Sequence, residues 1–115
     1  SNTALGRYDE AMALYGKAME QMKLVKGGEL EQAISYLNMA DTLVSRDGME
    51  KSEAQVYAWV DEAYDLLNRP DTVRDGYYAF VCEKCAPSFS WYGYFLAAEE
   101  LTKRAEEIYE RNGTV

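Results

Sequence analysis

The stretch "GYFLAAEELTKRAE", residues Gly93–Glu106, repeats the spacing of an earlier one, "GRYDEAMALYGKAM", residues Gly6–Met19. Each carries a glycine, an aromatic two positions on, and alanines five and twelve positions on. The alanines are seven residues apart, two turns of an α-helix, so they share one face. Between the two copies, Val56, Val60 and Ala63 fit the later part of the same template. A spacing of this kind at two ends of a short chain is the mark of a repeat built from helices.

The residues around these stretches support helix throughout. Breakers are few: Gly27-Gly28, Asp47-Gly48, Arg69-Pro70-Asp71, Asp75-Gly76, Pro87, Gly93 and Asn112-Gly113. The segments between them are rich in Ala, Leu, Met, Glu and Lys, which favour helix. Their apolar residues recur every three or four positions, as in Leu30, Ala33, Ile34, Leu37, Ala40 and Val44, and strand-like alternation is absent. The pattern predicts five helices, at about 3–24, 28–46, 50–68, 75–91 and 92–112. Short connections make neighbours antiparallel.

Composition narrows the function. With 115 residues the chain is expected to be one domain with a modest core, and 48% hydrophobic residues argue against disorder. The net charge of −8 disfavours nucleic acid and anionic membrane as partners, because both need a basic footprint. No apolar run approaches the roughly 20 residues that span a bilayer, so a soluble protein is expected. Two cysteines form no disulfide framework and nothing resembles a signal peptide, which points to a reducing, cytoplasmic compartment. Ser1 and Asn2, ahead of Thr3 without an initiator Met, read as a tag remnant.

The repeat resembles the tetratricopeptide family, whose unit is a helix–turn–helix of 34 residues. The C-terminal unit carries the likeness without gaps: Cys82, Cys85, Ala86 and Phe89, then Gly93 at the turn, then Ala98, Thr102 and Ala105. A middle unit reads Tyr36, Met39, Ala40 and Leu43, then Val56, Val60 and Ala63, with extra residues around Asp47–Glu50. A first unit supplies its second helix alone, through Ala11, Tyr15 and Ala18. Small residues belong where two helices approach closely, and large ones fill the gaps between. The aromatic block is also similar to the C-terminal part of uncharacterised tetratricopeptide proteins of Gram-positive anaerobes.

The resemblance implies an all-α fold of antiparallel helix hairpins stacked as a short α-solenoid, two and a half repeats long. It implies a single domain over 1–115: residues 3–24 as the second helix of an incomplete repeat, 28–68 as a long repeat and 75–112 as the last. So few repeats suggest a fragment of a longer array. The helix at 3–24 then lacks its hairpin partner, so Tyr8, Met12, Tyr15 and Met19 are expected to form an exposed stripe through which copies self-associate.

In that family a peptide lies in a concave groove lined by the first helices. The matching residues here are Ile34, Leu37, Asp41 and Val44, then Phe80, Glu83, Pro87 and Trp91. Some members clamp a peptide carboxylate, which would fall to Asn38 and Lys84, although Phe80 occupies the place of a second base. The expected function is a protein- or peptide-binding scaffold without cofactor. The absence of histidine and of a glycine-rich phosphate loop argues against an enzyme.

Cys82 and Cys85 form the only CxxC. Structural zinc wants four Cys or His ligands, so the alternative of a regulatory metal module needs a site shared across a dimer. A redox pair wants a thiol at a helix N-terminus. In the repeat register both fall mid-helix at packing positions, which suits cysteine as a small hydrophobe. Pro87 in the same helix is expected to bend it.

Overall fold

A computed structural model describes residues 2–113, with side chains from residue 5 onward. Ser1, read from sequence as a tag residue, lies outside the described residues. Five helices account for almost the whole chain: α1 (Asn2–Lys23), α2 (Glu29–Asp47), α3 (Met49–Leu67), α4 (Gly76–Trp91) and α5 (Phe95–Arg111). No strand occurs among the described residues. The fold is all-α, with adjacent helices packed in pairs, α1 on α2 and α4 on α5. The chain divides into two compact units, one ending at Leu66 and the other starting at Leu67.

In the first unit, the turn between α1 and α2 is held by Gly28, whose amide donates to the Val25 carbonyl. Gly27 takes φ +86°, in the left-handed region that glycine enters freely. Gly28 is buried so closely on α1 that a Cβ there would lie 2.5 Å from the Met22 carbonyl oxygen. The Gly-Gly pair is therefore a steric requirement of this hairpin. Further along, the Arg46 guanidinium donates to Asp9 at 2.6 Å, tying the end of α2 to the start of α1. The stripe expected to stand open on α1 is partly covered. Met19 is buried, and Tyr8, Met12 and Tyr15 are half-buried. A helix joined to its neighbour by so short a turn has a partner at hand.

In the second unit, Asp75 caps α4. Its carboxylate accepts from the Tyr78 amide at 3.0 Å, satisfying one of the donors that a helix start leaves free. Tyr78, Cys82, Cys85 and Phe89, spaced four, three and four apart, put one face of α4 into the core against α5. There they share the interior with Leu101, Ala105 and Ile108. The Tyr78 hydroxyl donates to the carbonyl of Leu67, the last residue of α3, at 2.7 Å. It accepts from the Arg104 guanidinium at 3.1 Å, and Arg104 in turn holds Glu100 one turn earlier on α5. Arg74 stacks its guanidinium 5.3 Å from the Tyr78 ring centre.

The expected helix boundaries hold within a residue or two except at 92–94, which is a turn and not the start of α5. The Gly93 amide donates to Ser90 and the Tyr94 amide to Phe89, with Gly93 at φ +88°. This is the Schellman arrangement that ends a helix on a left-handed glycine. Its usual apolar contact is present as well, the Phe89 and Tyr94 rings meeting edge-on at 6.1 Å. At Pro87 the helix continues, and the ring's missing N–H leaves the Glu83 carbonyl without its intrahelical donor.

Tyr78→Phe keeps the ring and removes the hydroxyl that satisfies a buried carbonyl and a half-buried guanidinium. The expected cost is about 1–3 kcal/mol in urea unfolding. An unchanged midpoint would show that water replaces the hydroxyl.

Candidate partner-binding surface

Successive residues of an α-helix turn by about 100°, so the sides of α4 can be assigned from its numbering. The core side runs through Tyr78, Cys82, Cys85 and Phe89. Nearly opposite, Tyr77, Phe80, Lys84, Pro87 and Trp91 are all exposed. The Tyr77 and Phe80 rings lie near parallel with centres 6.4 Å apart. Trp91 is 79% exposed and Phe80 51%. Beyond the turn, Phe95 and Leu96 at the start of α5 are exposed too. Three aromatic rings exposed along one side of a single helix are a dense apolar presentation for a protein surface.

A third side of α4, next to Pro87, opens onto a groove shared with α5. Its α4 wall is Glu83, Ala86, Pro87 and Ser90; its α5 wall is Ala98, Glu99, Thr102, Lys103 and Glu106. The groove has a volume of about 540 Å³. Alanine, serine and threonine line much of it, so the two helix backbones are unusually approachable along this side.

The residues expected to form a peptide groove divide accordingly. In the second unit, Glu83 and Pro87 line the α4–α5 groove, while Phe80 and Trp91 stand on the adjoining aromatic side with Lys84 between them. In the first unit, Asp41 is exposed, and Ile34, Val44 and Asn38 are half-buried. Leu37 is buried in the core and offers nothing to a ligand. Its place in the i, i+3, i+4 stripe with Ala33 and Ala40, both fully buried, explains why. The Asn38 carbonyl accepts from the Thr42 hydroxyl at 2.8 Å. The α5 wall lies outside the sequence expectation, because the family resemblance directs attention to first helices. Small Ala98 and Thr102 one turn apart, each followed by a charged residue, Glu99 and Lys103, are the available signal.

Cys82 and Cys85 are free thiols on the core side. Burial pushes both above the ordinary range, Cys85 to about 12. Thiolate, the form that ligates metal or attacks a disulfide, is thus disfavoured at both. Among the described residues no group of three or more His, Cys, Asp or Glu is placed to hold a metal ion. No described helix is long and apolar enough to cross a membrane.

In comparisons with protein families, curated proteins and solved structures, nothing matches the chain.

Both thiols should stay unlabelled by a thiol reagent at about pH 8 in the folded protein and react together on denaturation. Rapid labelling of the native protein contradicts their burial. Burial of the Cys85 thiol also makes stability depend on pH. The thiol keeps its proton in the folded state while the unfolded thiol loses it from about pH 9, so stability should fall between about pH 9 and 12. A urea midpoint independent of pH across that window would be evidence against it.

Proposed function

We propose that the chain is a non-enzymatic scaffold that binds a protein or peptide, built as a short tetratricopeptide-like array. The exposed aromatic side of α4 carries the reading. Phe80 and Trp91 lie eleven residues apart, three helical turns, with Tyr77 stacked on Phe80 and Pro87 between. Tyrosine, tryptophan and phenylalanine give a partner large contact area for few rotatable bonds, which is why they anchor interfaces. Their ordering costs little here, because the opposite side of α4 is locked into the core by Tyr78 and Phe89.

Chemistry at this surface has little to work with. The sequence holds no histidine, and the only thiols are buried. Free cysteines on the core side also fit a reducing, cytoplasmic setting. Self-association through α1 would have to use Tyr8, Met12 and Tyr15, the half-buried part of its stripe.

A displayed peptide library selected on the wild-type protein tests the proposal. Peptides obtained this way should lose at least about tenfold in affinity for Phe80→Ala/Trp91→Ala. The double variant should melt with the wild type, because both side chains are exposed. Selected peptides that bind the variant equally well would remove the aromatic side of α4 from the function.

A further inference from the structure

We infer that the groove between α4 and α5 is a docking site for an amphipathic α-helix of a partner protein, one whose apolar stripe is flanked by Lys and Arg. The inference rests on the reading of the chain as a protein-binding module but uses side chains distinct from the aromatic anchors. Along α5 the groove runs from Ala98 to Glu106, about 12 Å at 1.5 Å per residue, room for about two turns of a partner helix.

The backbone argues for a helix. Apart from the Glu83 carbonyl one turn before Pro87, the N–H and C=O groups along α4 and α5 are committed to their own helices, so an extended peptide would find no edge to pair with. A helix brings its backbone already satisfied, and the small Ala86, Ala98 and Thr102 let it approach closely.

Charge selects the flanks. Glu83, Glu99 and Glu106 border the groove against a single base, Lys103. All three carboxylates are exposed. Glu100, on the far side of α5, is held by Arg104. Pro87 adds an acceptor on the same border, the Glu83 carbonyl that has lost its helical donor. Lysine and arginine supply donors without acceptors and meet both needs. A second copy of this chain, at net charge −8, would bring like charge to an acidic rim, so the occupant is a different, basic protein.

The test uses three labelled peptides of about 18 residues, long enough to cover the groove, with binding followed by fluorescence anisotropy on the full chain. One presents an Ala/Leu stripe flanked by Lys and Arg, one the same stripe flanked by Glu, and one the basic composition scrambled so that no stripe forms. The basic helix should bind at least about tenfold more tightly than either control. Ala98→Trp, which fills the groove, should weaken it by a similar factor. Glu99→Lys/Glu106→Lys, both at exposed positions, should transfer preference to the acidic helix even if Ala98→Trp misfolds. Phe80→Ala/Trp91→Ala should leave this affinity within about twofold. Equal binding of the scrambled peptide, no binding at about 1 mM, or an unaltered preference in the charge-reversed variant overturns the proposal. Loss of binding in Phe80→Ala/Trp91→Ala overturns it too, while leaving the scaffold reading standing.

Discussion

Helix α4 has more apolar surface than one neighbouring helix can cover, and the second unit is organised by that excess. Tyr78, Cys82, Cys85 and Phe89 go into the core with α5, and this burial sets which way every other side of α4 points. Once that face is fixed, the helical period puts Tyr77, Phe80 and Trp91 on another side of the helix, and all three are exposed. An amphipathic surface helix would carry charges there. Here the hydrophobic driving force remains unspent on the outside of the helix, available to a partner.

Polar groups decide how firmly that orientation is held. The Tyr78 hydroxyl sits between the Leu67 carbonyl and the Arg104 guanidinium, so the end of α3 and the middle of α5 bear on one side chain of α4. Asp75 fixes where α4 starts and Gly93 where it stops. The carboxylate occupied by Arg104 is Glu100, which leaves Glu83, Glu99 and Glu106 to charge the opposite rim. The same helix thus has a packed side, an aromatic side and an acidic groove side, with Pro87 at the border of the last two.

Much of this was legible in the sequence because helices announce themselves through period and breakers. Five helices were readable from apolar spacing and glycine or proline punctuation, and the cysteines' place on the core side follows from their register with Phe89. α5 starts three residues later than the spacing predicts, because the left-handed cap at Gly93 takes in Tyr92 and Tyr94 as well. The surplus of aromatics after Gly76 pointed to exposure, and Phe80 and Trp91 are exposed. Leu37 went the other way: a groove position by family likeness, it sits between two fully buried alanines on the core stripe of α2. Pairing information was the weakest part. Nothing in the sequence of α1 states that α2 will cover Met19, because the decision lies in the buried Gly28 turn and the Arg46–Asp9 contact.

The central claim is that the outer side of α4 stands open while its inner side is locked, and Trp91 reports on it directly. With Trp59→Phe removing the other tryptophan, the folded protein should emit from Trp91 alone. The account predicts emission close to that of tryptophan in water and quenching by iodide as fast as for the unfolded chain. Blue-shifted emission protected from iodide would mean that this face is already covered, and would contradict it.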